Sequence, residues 1–183
     1  MGISDLKHEQ RSLGMLVRFA NHLGITPRIG YRQSFDPRQE WATIWLPGGG
    51  NNVASLYRST NSIEYFLWSL TVRLGHELAH YLVASPKLRR RKNYGINNGR
   101  RSARENRLWE TNEAKVFFVE HHLREWIGIW RPKEVLQLAV NRGRREQLRP
   151  YRAEAKRWWK AEGEAMMDAE LLAFTKTDER KRK

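Results

Sequence analysis

The chain contains no cysteine among its 183 residues. This absence excludes disulfide bonds, cysteine-ligated zinc fingers, iron–sulfur clusters and thiol catalysis. A bound metal ion would therefore have to be held by His, Asp or Glu side chains. The chain offers six histidines for such a role: His8, His22, His76, His80, His121 and His122.

Long hydrophobic runs are also absent. No stretch of the sequence approaches the roughly 18 apolar residues that a membrane-spanning helix needs. The first ten residues, MGISDLKHEQ, lack the basic segment and apolar core of a secretory signal. We therefore expect no membrane association and a cytoplasmic location. Apolar residues still make up 40% of the chain and aromatic residues 11%, which is too many for a disordered protein.

The spacing of the apolar residues indicates the order of the secondary-structure elements. Helical periodicity predicts a helix over residues 4–23, ended by Gly24, and further long helices over 63–85, 102–127 and 151–174. Three short runs rich in strand-forming residues predict a small, mostly antiparallel sheet between the first two helices. These runs cover residues 28–35, 41–46 and 53–58.

The second predicted helix contains the run His76-Glu77-Leu78-Ala79-His80, which is an HExxH motif. Residues four apart on a helix lie about 40° apart around its axis, so both imidazoles can reach one tetrahedral zinc ion. Glu77 lies about 100° from His76, near the metal but not on it. The motif therefore predicts His76 and His80 as zinc ligands and Glu77 as the catalytic general base.

Two glutamates in the third helix lie where apolar residues are expected. With Trp109 set at zero, Glu113 falls at about 40° and Glu120 at about 20° around the helix, within the stripe that contains Val116. We expect Glu113 to be the third zinc ligand and Glu120 to orient a ligand histidine. A partly exposed charge near the helix end is the alternative for Glu120. The neighbouring histidines, His121 and His122, fall off the stripe and are predicted to lie at the surface.

The HExxH motif, followed in the next helix by Asn112-Glu113-Ala114-Lys115-Val116-Phe117, resembles the ImmA/IrrE metallopeptidases. In that family the HExxH helix precedes a helix with a motif of the type E-A-N-x-F-A, whose Glu is the third zinc ligand. Lys115 stands where Asn is usual, and Phe118 where Ala is usual. The chain is also similar to the zincin domain of ArdC-type anti-restriction proteins. These resemblances imply zinc bound by His76, His80 and Glu113, with Glu77 as the base.

The predicted elements and the resemblance together favour an α+β, zincin-like fold. We expect an N-terminal helix, a small sheet, two long zinc-bearing helices and a helical C-terminal extension. The corresponding predicted units are a metallopeptidase domain over residues 1–130, a helical extension over 131–177 and a basic, disordered tail over 178–183.

The formal net charge of +14 is unevenly spread along the chain. Residues 87–104, here called the basic segment, contain eight cationic residues and no acidic one. Such a segment is a candidate for non-specific contact with nucleic acid, and a solvated loop is the alternative. Its cations are Lys87, Arg89, Arg90, Arg91, Lys92, Arg100, Arg101 and Arg104.

The favoured function is that of a zinc metallopeptidase cleaving a protein or peptide partner, such as a regulator or a nucleic-acid-associated protein. The alternative is a zincin-fold binding module that acts by contact with nucleic acid or protein, without proteolysis. An anti-restriction or regulator-directed role in a mobile element would suit both interpretations.

Overall fold

The fold is described from a computed structural model, which covers residues 3–25, 28–33, 40–45, 56–57, 63–84, 103–128 and 146–182. Three long helices dominate its first two thirds. These are α1 (Ile3–His22), α2 (Ile63–Val83) and α3 (Ala103–Ile127). A 3-10 turn (Arg149–Tyr151), α4 (Arg152–Trp158), a π-helical turn (Trp159–Gly163) and α5 (Glu164–Arg182) follow.

A glycine follows the end of helix α1, as the sequence predicts. Gly24 has a φ of +75°, a backbone conformation that residues with a Cβ rarely adopt. The backbone N–H of Ile25 then donates to the carbonyl of Ala20 at 2.9 Å. This bond provides a partner for a carbonyl that the helix end would otherwise leave unpaired.

Between α1 and α2 the backbone forms three short strands. They are β1 (Arg28–Gln33), β2 (Glu40–Trp45) and β3 (Leu56–Tyr57). The strands pair antiparallel in the order β1-β2-β3, with Arg28 opposite Trp45 and Trp41 opposite Tyr57.

The described hydrophobic core consists of side chains from α1, α2, α3 and α5, together with Ile25. Its aromatic centre is Phe19 of α1, whose ring meets Phe174 of α5 edge-on at 5.5 Å and Trp126 of α3 at 5.8 Å. Other buried members are Leu16, Leu70, Leu74, Leu78, Val116, Val119, Leu123, Met167 and Leu171. Helix α5 thus shares one core with the helices of residues 1–130.

The predicted α+β fold class is wrong for this packed body. Of the residues whose side chains the structure describes, 95% are helical and none lies in a strand. The physical reason is that the apolar faces of α1, α2, α3 and α5 bury one another, so the core that the described side chains form lies between these helices. Strand-forming residues predict local backbone conformation, but they do not decide which faces meet.

The C-terminal end of the described chain is helical. Helix α5 continues to Arg182, and Nε of Arg18 in α1 donates to Asp178 at 3.1 Å. The prediction of a disordered tail over 178–183 is therefore wrong for residues 178–182. Phe174 anchors α5 in the core, and the helix extends two turns beyond that anchor. Among the helices described, none combines the length and apolar composition needed to cross a membrane.

Candidate metal centre

Within the HExxH motif, one face of α2 is buried in the core and the other carries the polar side chains. Leu78 and Ala79 are fully buried, whereas His76, Glu77 and His80 are only partly buried. The side chains of His76 and His80 are 20% and 18% exposed. Both histidines can therefore meet a metal ion and a substrate from solvent while their helix stays fixed in the core.

The three predicted ligands lie close to one another across α2 and α3. Nε2 of His76 lies 3.1 Å from Nε2 of His80, and Oε1 of Glu113 lies 3.6 Å from that same Nε2 of His80. Zinc–ligand bonds of about 2.0–2.1 Å in a tetrahedron place neighbouring ligand atoms about 3.3 Å apart. Both distances from Nε2 of His80 are thus near ligand spacing, and all three atoms belong to the donor types that zinc prefers.

Within the described residues, no three His, Asp or Glu side chains already stand as a complete metal-holding group. The donor set is nevertheless consistent with zinc, because both imidazoles turn their Nε2 atoms towards each other and the carboxylate approaches from the neighbouring helix. A shift of a few tenths of an ångström at Glu113 would bring its oxygen to about the tetrahedral spacing from His80.

Glu120 contacts the other ring nitrogen of His76. Nδ1 of His76 donates to Oε2 of Glu120 at 3.2 Å, and the Glu120 side chain is only 3% exposed. A carboxylate on the outer nitrogen of a ligand histidine fixes its tautomer and leaves Nε2 free of its proton. The alternative of a partly exposed charge is wrong for Glu120, because the side chain is buried between α2 and α3.

Arg124 pairs with the second oxygen of Glu120. Its Nη2 donates to Oε1 of Glu120, one helical turn away, and its side chain is 13% exposed. Burial lowers the pKa of Arg124 to about 10, so the guanidinium keeps its proton at neutral pH. Glu120 therefore lies between a histidine and a cation, and both contacts favour its charged form.

Trp109 covers the second histidine of the HExxH motif. Its ring is stacked on His80, with 6.2 Å between ring centroids and 21° between the planes. This contact restricts rotation of the His80 ring and shields one of its faces from water. The sequence places Trp109 on the stripe of α3 but does not indicate the partner.

The other residues singled out in the sequence lie away from this cluster or outside the described residues. His121 is exposed, as predicted, but His122 is only partly exposed, because its Nε2 lies 2.9 Å from Asp168 and its ring meets Trp159. In the basic segment, Arg104 lies near the start of α3 and is exposed. Its other cations lie outside the described residues: Lys87, Arg89, Arg90, Arg91, Lys92, Arg100 and Arg101.

Arg124 contacts the candidate site, but no sequence motif indicates it. The signal that could have found it is its spacing of four residues from Glu120, which brings opposite charges together on a helix. The HExxH motif consists of histidine and glutamate positions in α2, so it does not indicate an arginine of α3.

Comparison of the chain with protein-family models, with curated proteins and with solved structures gave no match.

Proposed function

We propose that the chain is a zinc-dependent metallopeptidase of the HExxH-plus-Glu type, acting on a protein or peptide partner in the cytoplasm. The observation that carries the proposal is the approach of three donor atoms from two helices. Nε2 of His80 lies 3.1 Å from Nε2 of His76 and 3.6 Å from Oε1 of Glu113. The resemblance of the motifs to the ImmA/IrrE metallopeptidases supports the same assignment.

In this proposal His76, His80 and Glu113 hold the ion. A bound zinc ion supplies a Lewis acid that polarises a peptide carbonyl and lowers the pKa of water. Glu120 accepts the Nδ1 proton of His76 and so keeps Nε2 of that ring available as a donor atom. Trp109 restrains the ring of His80 by stacking on it.

Glu77 acts as the general base on the same helix. Its carboxylate accepts one proton from the attacking water molecule and delivers that proton to the nitrogen of the leaving amine. The peptide C–N bond breaks, and a new C–O bond forms at the carbonyl carbon. Because Glu77 adjoins His76 in the sequence, the rigid α2 keeps the base beside the ligands.

The test compares the zinc-loaded wild-type protein with its Glu77→Gln variant in a cell lysate. An amide cannot accept the proton, so we expect the variant to keep its zinc and its fold but to lose peptidase activity. Mass spectrometry of newly formed peptide N-termini detects cleavage of any protein in the lysate, so the substrate need not be identified first. New N-termini that require wild-type Glu77 support the proposal.

Two outcomes count against it. If the variant and the wild type generate the same N-termini, Glu77 is not the base. If neither generates any, the chain is not a peptidase towards the proteins of that lysate, and the binding alternative gains support. A matched Glu179→Gln variant, altered at an exposed position of α5, controls for the loss of one carboxylate.

The positive charge of the chain favours a second candidate function, that of a binding module. A net charge of +14, with eight cations in the basic segment 87–104, is typical of proteins that contact polyanions. In that case the chain acts as a binding module on nucleic acid or on a nucleic-acid-associated protein. Binding of the same partner by wild type and by Glu77→Gln, without cleavage, distinguishes this function from proteolysis.

A further inference from the structure

The outward side of α4 carries a cluster of positive charges. Its exposed cations are Arg152, Lys156 and Arg157 in α4, followed by Lys160 in the π-helical turn. With about 100° of rotation per residue, the three cations of α4 fall at about 0°, 40° and 140° around the helix axis. They therefore lie on one side of the helix. Together with Lys160 they are here called the cationic face.

No carboxylate neutralises the cationic face within the described residues. The remaining exposed position of α4 is Ala153, and the acidic residue of the helix, Glu154, is only partly exposed and falls at about 200°, on the opposite side. Among the described residues, no ion pair involves a residue of the cationic face. Arg149, one turn earlier, differs because its Nη1 lies 3.7 Å from Glu146. The four charges are therefore available to an external anion.

The cationic face has a defined length. Its first and last residues, Arg152 and Lys160, span about 12 Å along a helix. Exposed carboxylates follow at Glu162 and Glu164, so the run of positive charge ends at Lys160. A nucleic-acid duplex carries about one negative charge per 1.7 Å of its axis, with both strands counted. Over the length of the face, a duplex therefore offers about seven phosphates to four cations.

The inward side of the same segment is fixed on α3. Ala155 is fully buried. Trp159 is stacked on Phe118 of α3, with centroids 6.0 Å apart and planes 21° apart. Nζ of Lys115, also in α3, lies 4.9 Å from the ring centroid of Trp158. Because these contacts hold the backbone in place, binding of an anion has to order only the side chains of the face.

The apolar residues of this segment distinguish a nucleic acid from an anionic membrane. A helix that binds a membrane surface buries bulky apolar side chains in the lipid beside its cations. Here the bulky side chains, Trp158 and Trp159, are partly buried and contact α3. The exposed apolar residues beside the cations are alanines, Ala153 and Ala161. The face thus presents charge without a group to insert, which fits a phosphate backbone.

We propose that the cationic face binds the phosphate backbone of duplex nucleic acid. Arg152 and Arg157 can each donate two N–H groups to one phosphate, and Lys156 and Lys160 each place an ammonium beside another. Phosphate contacts contain no base information, so the binding is independent of sequence. This surface differs from the basic segment 87–104, and it depends neither on zinc nor on peptide hydrolysis.

The test measures binding of short fluorescein-labelled DNA and RNA duplexes to the full-length protein by fluorescence anisotropy, over a series of salt concentrations. The variant replaces all four residues of the cationic face by glutamine, which removes the charges and conserves helix propensity. Each phosphate contact contributes about 0.9 to the slope of the logarithm of the binding constant against that of the salt concentration. We expect the variant to reduce this slope by about 2 to 3.6, equally for two unrelated sequences.

A matched variant controls for net charge. It replaces two lysines and two arginines that are exposed on α1 and α5 by glutamine: Lys7, Arg11, Lys176 and Arg180. Both variants lower the formal net charge of +14 by four. We expect the control to keep the slope of the wild type to within about one phosphate contact.

Each outcome decides the proposal. A reduced slope in the variant but not in the control supports it, and a reduction confined to one duplex identifies that duplex as the partner. An unchanged slope in the variant overturns it; the duplex is then bound elsewhere, as by the basic segment, and the second candidate function survives. No binding of either duplex at low salt, or an equal reduction in the control, also overturns it.

Two further measurements complete the test. If circular dichroism shows that the fourfold variant is unfolded, Lys156→Gln combined with Lys160→Gln replaces it, and we expect a slope reduced by up to about 1.8. Vesicles of phosphatidylcholine with phosphatidylserine serve as the membrane probe. Binding to these vesicles but to neither duplex would assign the face to a membrane and overturn the proposal.

Discussion

Replacing the carboxylate of Glu120 by an amide, in Glu120→Gln, tests how Glu120 supports the proposed metal centre. The carboxylate accepts from Nδ1 of His76 at 3.2 Å and from the guanidinium of Arg124. The substitution conserves shape but removes the charge between these two groups. Two effects follow, one on zinc affinity and one on stability, and they can be measured separately.

The effect on zinc arises at His76. Removing a carboxylate that orients a ligand histidine typically weakens metal binding about 10- to 100-fold. We expect a loss in this range for Glu120→Gln, since the amide can present its NH₂ group to Nδ1 and favour the wrong tautomer. Competition with a chromophoric chelator at fixed pH measures the dissociation constant, and Glu179→Gln at an exposed position is the control.

The effect on stability arises at Arg124. Breaking a buried ion pair from one side costs about 3–5 kcal/mol, because the remaining charge stays buried. Arg124 is 13% exposed, and the amide oxygen can still accept one hydrogen bond, so we expect a smaller loss of about 2–4 kcal/mol. Urea unfolding of the zinc-free protein measures this loss without the contribution of metal binding.

A double variant separates the two effects. Adding Arg124→Met to Glu120→Gln removes the unpaired charge, so we expect most of the stability to return while zinc binding stays weak. Zinc affinity within about twofold of wild type in Glu120→Gln would refute the role of Glu120 at His76. Recovery of zinc affinity in the double variant would refute it as well, because His76 would still lack its carboxylate.

Two further predictions concern other parts of the chain. Gly163→Ala is expected to destabilise the fold by about 1–3 kcal/mol, because the new Cβ meets two indole rings below 3.0 Å. Gly14→Ala in α1, where a Cβ meets only Arg18 Nη1 at 3.7 Å, is expected to stabilise it by about 0.5–1 kcal/mol; equal shifts in urea unfolding would contradict this contrast. For the basic segment 87–104, joint neutralisation of its three consecutive arginines at 89–91 is expected to reduce the salt dependence of DNA binding by up to about three phosphate contacts. A gel-shift titration across salt concentrations measures this slope, and an unchanged slope would leave the segment as a solvated loop.

The long helices are the part of the fold that local pattern predicts best. The predicted ranges 63–85 and 102–127 correspond to α2 (Ile63–Val83) and α3 (Ala103–Ile127). Helical periodicity arises from residues three and four apart, so one chain segment contains the whole signal. The fold class depends instead on which apolar faces meet, and the apolar positions of α5 do not indicate which helices they pack against.

In the candidate site, too, the sequence indicates local spacing but not the contacts between helices. The spacing of His76 and His80 is local, and in the structure Nε2 of one ring lies 3.1 Å from Nε2 of the other. The stripe position of Glu120 predicts that it faces α2, but the contact with Nδ1 of His76 requires the packing of two helices. The stacking of Trp159 on Phe118 depends on a π-helical turn that no periodicity indicates.

The zinc content of the purified protein tests the central proposal most directly. After loading with zinc and exhaustive dialysis, plasma mass spectrometry is expected to find about one zinc per chain. The same content is expected for His121→Ala, since His121 is exposed and lies off the stripe. We expect His80→Ala to lose most of its zinc while it remains folded by circular dichroism. Full zinc content in His80→Ala, or no zinc in the loaded wild type, would contradict a metal centre built on His76, His80 and Glu113.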